Sequence, residues 1–388
     1  MSNIILLGLT SLFADFSSEI IVPLLPIFIS TLGGAGLAIG LISGVGDATA
    51  SILKVVSGRW VDKNKKYKRF VLWGYAFSAI AKFFFPLATT WQHILIARPI
   101  ERLGKGFRNA PRDAIVSESV SLEKRGAGFG LQRMMDSLGA ILGSVTVLIL
   151  VWKFGFSFKL IFLLAAFVSL LSVIPIFFIK EPVSLKTRPS RFQKSGVGEK
   201  FSPLLKKFIV ISTVFSLGNF SFMFLILKAQ TFLSATFSNG LVLTLLLYIF
   251  FNVFDTIFSR PAGKLSDKIG RKKVILTAYF LLSLTFAGFL LASSFWVFLF
   301  LFPIYGLFKA FIDASQKAFV SDLSPVEIRG SALGTFEAST GLALIPGGII
   351  AGLLWNANPN LLFAYGLTIS FSALVLLQVT VKNSSLKN

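Results

Sequence analysis

Runs of about 20 predominantly apolar residues, long enough for a helix to cross a bilayer, recur twelve times along this chain of 388 residues. They lie at 4–30, 37–58, 70–90, 92–112, 127–151, 157–179, 206–228, 239–260, 273–293, 295–316, 330–354 and 361–381. Lipid offers no partner to backbone N–H and C=O groups, so a spanning segment must satisfy its own, which a helix does. The expected fold class is an all-α integral membrane protein with twelve transmembrane helices. Composition agrees: 14% of residues are charged and 54% hydrophobic, against about 25% charged in soluble proteins. A net charge of +21 would point to nucleic acid in a soluble protein; here topology accounts for it, and no nucleic-acid partner is expected. Cysteine is absent, which excludes disulfides and thiol chemistry. The first apolar run has no basic segment before it and contains Asp15 and Glu19. It reads as a retained helix and not a signal peptide.

The basic residues set the orientation. Of 38 Lys and Arg, 27 fall in segments 59–69, 112–125, 180–207, 260–273, 317–329 and the tail from 380. The alternate loops hold only Lys153, Lys159 and Lys228. Basic loops stay cytoplasmic, so both termini are expected in the cytoplasm of a multi-pass protein of the cell membrane. This alternation requires helix 4, the least apolar of the twelve. The long basic segment with Pro182, Pro189, Gly196, Gly198 and Pro203 reads as a flexible linker. The expected domains are a six-helix bundle over 1–180, a cytoplasmic linker over 181–204 and a second bundle over 205–388. The linker's charge also suits anionic lipid.

Helix 4 is unusual. Between Ala97 and Asp113 it carries seven charged residues. At about 100° per residue, Arg98, Glu101, Arg102, Lys105, Arg108, Asn109, Arg112 and Asp113 share an arc of roughly 140°. Within a membrane, such a face turns toward a bundle interior or an aqueous cavity.

The two halves repeat. Shifting 114–143 by 204 positions superposes Ala114 on Ala318, Ser117 on Ser321, Glu123 on Glu327, Arg125 on Arg329, Gly130 on Gly334 and Gly143 on Gly347. A shift of 205 lays Gly58-Arg-Trp-Val-Asp62-Lys63 over Gly263-Lys-Leu-Ser-Asp267-Lys268. Six helices per half make this a parallel repeat, and transporters so built bind substrate near the midplane between the halves.

With these residues in hand, the chain resembles the major facilitator superfamily. Gly263 through Lys272 is similar to that family's loop motif between helices 8 and 9, G-x-L-[AS]-D-[RK]-x-G-R-[RK]. Gly58 through Arg69 is a degenerate copy, with Trp60 for Leu, Val61 for the small residue and no Gly two places after Lys63. The run from Arg98 is similar to the helix 4 motif, with Gly104 and Gly106 two residues late. Gly130, Gly139 and Gly143 keep the spacing of the family's antiporter signature, although Ser144 stands where Pro is expected and the later Gly pair is missing; close helix packing accounts for the same glycines. The resemblance implies twelve helices in two bundles with every third helix peripheral. It also implies gating residues at Gly58, Asp62, Arg112, Gly263, Asp267 and Arg271, with Arg112 placed to pair with Asp62.

Charges sort the helices. Helices 6, 9 and 12 have no ionisable residue in their cores and helix 3 has only Lys82. A charge at the bilayer centre costs at least about 2.5–3.5 kcal/mol, so those helices should face lipid and the others a polar interior. Asp15 and Glu19, four apart, share one face of helix 1. Two carboxylates close together in a low dielectric repel each other, a pair suited to taking up and releasing a proton; the alternative is that each pairs with an arginine of helix 4. Together with Asp47 they are the proton-coupling candidates. The shifts place Asn219 opposite Asp15 and Asn252 opposite Asp47, so coupling is expected in the first half. Arg98, Arg102, Lys105, Arg133, Asp136, Asn219, Asn252, Asp255 and Glu337 are the substrate-cavity candidates. The helix 4 bases either hold an anionic substrate, for which Arg is shaped, or neutralise the acids around them. Lys309, Asp313 and Lys317 are spaced to pair along helix 10. His93, the sole histidine, sits at a helix end and suggests no metal site. No P-loop and no catalytic domain are present, and no cofactor is expected.

The expected function is secondary transport of a small solute by alternating access, proton-coupled and with efflux preferred, by a monomer. The alternative is uptake or uniport of an organic anion held by the helix 4 arginines. From another class, a membrane sensor or lipid-handling protein remains open.

Overall fold

A computed structural model describes residues 3–120, 125–182, 185, 201–325 and 328–381, so most of the expected linker lies outside the described residues. The chain is helical wherever regular structure is described. In order, α1 runs Asn3–Ile21 and Leu25–Thr31, α2 Gly36–Asn64, α3 Tyr67–Lys82 and Phe84–Leu87, α4 Trp91–Glu118, α5 Arg125–Trp152, and α6 Phe158–Leu171 and Ile174–Phe177. Then follow α7 at Pro203–Gly218 and Met223–Thr236, α8 Gly240–Ile269, α9 Arg271–Leu291, α10 Phe295–Asp322, α11 Arg329–Ala357 and α12 Pro359–Thr380. Among the described residues, eleven of these are long and apolar enough to span a membrane. The twelfth, α4, is 28 residues long; its length suffices and only its charges set it apart.

Local chemistry fixes several helix starts. Ser202 caps α7 by accepting from Leu205 N, with Pro203 at the first helical position. Asn358 caps α12 and accepts from Asn360 N at 2.8 Å, with Pro359 next. Pro is tolerated there because its missing N–H would have no helical partner.

The chain divides into two compact units, one of residues 1–34 and 45–194, the other of 35–44 and 195–388. In the first, α1 packs on α5 and α6, and α3 on α4 and α6. In the second, α7 packs on α11 and α12, and α9 on α10 and α12. The second set of pairings is the first advanced by six helices, which is the sequence repeat expressed as packing. The helices with no ionisable residue in their cores turn large apolar side chains outward, including Leu164 and Phe167 on α6, Phe280 and Leu284 on α9 and Phe371 and Val375 on α12.

Residues 35–44 of the second unit form the start of α2 and lie against α11. A Cβ built on Gly40 would stand within van der Waals radii of the Gly348 carbonyl, and one on Gly348 would strike the Gly40 carbonyl. Backbones meet there without room for a methyl group. Gly40→Ala should therefore cost about 1–3 kcal/mol, as overpacking does, seen as a lower melting temperature in detergent; an unchanged melting temperature contradicts this packing.

The loop repeat explains a second detail. Gly270 joins α8 to α9 at φ 97°, a left-handed conformation. The degenerate first copy has Lys65 at the equivalent place, yet it keeps the left-handed turn at φ 56°. A side chain there costs roughly 1–2 kcal/mol. Lys65→Gly should raise stability, by less than that because glycine also loses more entropy on folding; a fall in melting temperature contradicts it.

Candidate functional site

Within the first unit, α4 carries its charges into the interior. Arg98, Glu101 and Arg108 are each at most 4% exposed. Arg98 Nη1 donates to Glu101 Oε2 at 2.9 Å, an i,i+3 pair on one helix. Arg102 reaches Asp47 of α2 at 3.4 Å and Glu101 at 3.7 Å. Glu101 therefore sits between two guanidiniums. Arg108 Nη1 donates to Ser78 Oγ at 2.9 Å, and its guanidinium lies 4.1 Å above the Tyr75 ring. Ser78 Oγ in turn donates to the Glu101 carbonyl at 2.9 Å, so α3 and α4 are tied through one buried polar chain. Buried ions require such partners.

The carboxylates of α1 differ. Asp15 is half-buried, and among the described residues it has no hydrogen bond or ion pair. The reading in which Asp15 pairs with an arginine of α4 is thus not what the geometry gives; Arg98 and Arg102 are taken by Glu101 and Asp47. Glu19, one turn on, contributes its charge to the surroundings of both arginines. Lys105, half-buried on α4, likewise has no ion pair among the described residues. Gly139 and Gly143 of α5 lie directly on the α1 backbone at Leu12 and Phe16, so these glycines serve close packing of the helix that carries Asp15 and Glu19.

Nearer the other end of the unit, one hydroxyl joins four helices. Ser11 Oγ of α1 meets Tyr75 OH of α3 at 3.0 Å, Arg112 Nη1 of α4 at 3.0 Å and Gln132 Nε2 of α5 at 2.6 Å. Gln132 also donates to Asp136 at 3.1 Å. Arg112 bonds Asp113 at 3.1 Å and lies 3.9 Å from Asp136. The expected Arg112–Asp62 pair does not form. Asp62 accepts from Tyr67 OH at 2.9 Å instead, because α4 turns Arg112 toward α1 and α5 and away from the end of α2.

In the second unit the residues of the loop motif form ion pairs. Arg271 pairs with Asp267 at 2.5 Å and with Asp322 of α10 at 3.2 Å, joining α8, α9 and α10. Lys309 pairs with Asp313 at 3.2 Å along α10. Lys317 also reaches across to Glu337 of α11 at 2.7 Å, a contact that spacing along α10 does not anticipate. Asn252 is buried and Asp255 half-buried on α8, where Asp255 accepts from Ser259 Oγ at 3.3 Å. Asn219 lies in the break of α7. Arg133 is exposed, beside the exposed Met134, and its charge reaches Asp136 one turn on. Exposed His93 accepts from Thr89 N at 3.3 Å and borders an apolar groove of about 260 Å³ with Phe84, Leu87 and Ile96, remote in character from the charges above.

Three members of the cluster are absent from the sequence candidates: Glu101, Lys82 and Arg108. The i,i+3 spacing of Arg98 and Glu101 is the available signal for the first. For Lys82 it is the repeat, because a shift of 204 lands it on Phe286. Tyr75 and Tyr279 correspond in the same way, and Gln316, opposite Arg112, donates to Tyr279 OH at 3.2 Å. In the first unit the corresponding Arg112 and Tyr75 both bond Ser11 Oγ.

Comparison with known proteins extends across the chain. The sequence profile of the Major Facilitator Superfamily matches residues 7–254 and 209–388. An uncharacterized MFS-type transporter of Methanocaldococcus jannaschii is 43% identical over 378 residues, 97% of this chain and 94% of that protein. Multidrug resistance protein 1 of Bacillus subtilis is 23% identical over 374 residues, 92% of this chain and 91% of its own. Among solved structures, the nucleoside transporter NupG has a TM-score of 0.77 at 18% identity, covering 97% of this chain and 98% of that one. The human organic anion transporter MFSD10 has a TM-score of 0.69 at 17% identity, covering 97% and 98%. The twelve helices, their twofold pairing pattern, the profile match and the archaeal relative lead to one conclusion: this chain belongs to the major facilitator superfamily, as a multi-pass membrane transporter of small molecules and not an enzyme.

Proposed function

We propose that the chain is a proton-coupled secondary transporter of the cell membrane, working by alternating access between its 1–180 and 205–388 halves, with Asp15 as the proton carrier. Both termini face the cytoplasm, and the unit of function is a monomer. The observation that carries this reading is the contrast on the interior face of the first unit. The arginines of α4 are engaged by Glu101 and Asp47, whereas Asp15 has no ion pair among the described residues. A carboxylate in a low-dielectric interior without an ion-pair partner is a group whose protonation can follow the transport cycle. Glu19 and Asp47 line the same interior. The amides Asn219 and Asn252 at the equivalent places of the second half support coupling in the first half alone. Efflux is preferred, supported by similarity to a protein named for multidrug resistance. The gate pairs Asp267–Arg271–Asp322 belong to the cycle and do not touch substrate.

Uptake or uniport of an organic anion is the second reading. Lys105 supports it, as a cation of α4 with no ion pair among the described residues. The test is thermal unfolding of the purified protein against a panel of lipophilic cations, organic anions and neutral amphiphiles at several pH values. A ligand at about 100 times its dissociation constant adds roughly 2.7 kcal/mol. Cationic or amphiphilic ligands whose effect strengthens as pH rises support proton competition. Anionic ligands whose effect disappears in Lys105→Ala, with no pH dependence, replace this reading with the second.

A further inference from the structure

We propose that Lys82 is the positioning residue of the proton site: a buried cation that holds the turn of α1 carrying Asp15. This rests on the assignment of Asp15 above. Lys82 lies on α3 and is 2% exposed. Its ammonium donates to Ser17 Oγ at 2.9 Å, Ser18 Oγ at 3.0 Å and the Ala14 carbonyl at 3.3 Å. The direction of these bonds is fixed. Ser17 donates its own hydrogen to the Ala165 carbonyl of α6 at 2.6 Å, and Ser18 donates its own to the Ala14 carbonyl at 2.9 Å. Both hydroxyl oxygens are therefore left to accept. An ammonium has three hydrogens and no acceptor, which matches the three acceptors around it.

The three acceptors stand on both sides of Asp15 in a single turn, so the grip on α1 sets where the Asp15 carboxylate points. Among the described residues no carboxylate lies within ion-pair distance of Lys82. The charges facing it are Asp15 from α1 and Glu101, Arg98 and Arg108 from α4; α6 contributes the Ala165 carbonyl through Ser17.

The repeat shows that the fold does not require this cation. The equivalent position of the second unit is Phe286, fully buried and stacked on Phe220 of α7 at 4.6 Å between ring centroids. An apolar side chain fills the corresponding α7–α9 junction. A buried charge at a place where the repeat uses phenylalanine is costly, and Asp15, which the second unit replaces with Asn219, is the group that gives it a purpose.

The test is infrared titration of the full-length protein in lipid vesicles. The protonated-carboxyl band absent in Asp15→Asn identifies Asp15. In Lys82→Met its pH midpoint should move, because the turn of α1 that carries Asp15 loses its hold and a cation facing Asp15 is removed. Ser17→Ala with Ser18→Ala should move it by less, because the ammonium remains. An unmoved midpoint in Lys82→Met overturns the proposal and leaves Asp15 as proton carrier intact. Should Lys82→Met fail to fold, the serine pair decides: a moved midpoint supports the proposal and an unmoved one overturns it. If Asp15→Asn removes no band, the assignment of Asp15 itself fails, and the role of Lys82 with it.

Discussion

Replacing Glu101 with Ala should destabilise the protein by about 3–5 kcal/mol, the cost of leaving buried charge without its partner. Glu101 is the carboxylate between Arg98 and Arg102, and both Glu101 and Arg98 are nearly inaccessible. Removing it leaves Arg98 without its counter-charge and Arg102 with Asp47 alone. The same principle predicts the remedy. Exchanging both partners of a buried pair for apolar residues of similar volume is often neutral or stabilising. Arg98→Met combined with Glu101→Leu should therefore recover most of what Glu101→Ala loses. The measurement is thermal or denaturant unfolding in detergent. Equal instability of the single and double variants would show that the pair is not the source of the effect.

Asp15→Asn should leave the fold in place and remove the effect of pH on ligand affinity. Asp15 is half-buried and makes no hydrogen bond among the described residues, so its amide breaks no contact. Linkage is reciprocal: if protons and ligand compete, each weakens the other by the same factor. Couplings between sites are about 5–150-fold, and that is the pH-dependent change in ligand affinity expected of the native protein and lost in the variant. The sign follows from competition: the native protein binds cationic ligand more weakly as pH falls, whereas Asp15→Asn binds alike at each pH. A variant that keeps the native pH dependence would move the proton site to Glu19 or Asp47.

Much of this arrangement was legible in the residues. Twelve apolar runs suffice for the helices, because lipid leaves the backbone few options, and an offset of 204 for the repetition of one half in the other. The charges of α4 were readable as an interior face for the same reason. Their partners were not. Helical spacing predicts pairs along one helix, as with Arg98–Glu101 and Lys309–Asp313, but not which neighbouring helix meets which side chain. Hence the loop motif places Arg112 at Asp62 whereas it is found between Asp113 and Asp136, and Lys317 pairs across to Glu337. Interhelical contacts depend on rotation about each helix axis, and a modest rotation exchanges one partner for another. Lys82 shows a different limit. Hydropathy marks it as an oddity on an otherwise apolar helix, and only the serines of α1 reveal what holds it.

The central claim is that Asp15 couples proton movement to solute movement. Its most direct test is proton flux in sealed vesicles carrying the purified protein and a pH-sensitive dye in the lumen. The lumen is loaded with a compound that stabilises the protein in the thermal panel, and the vesicles are diluted into medium without it. The account predicts that solute leaving the lumen draws protons in, so the lumen acidifies with the native protein and does not with Asp15→Asn. Solute movement with no pH change in the native protein, or an undiminished pH change in Asp15→Asn, would contradict it.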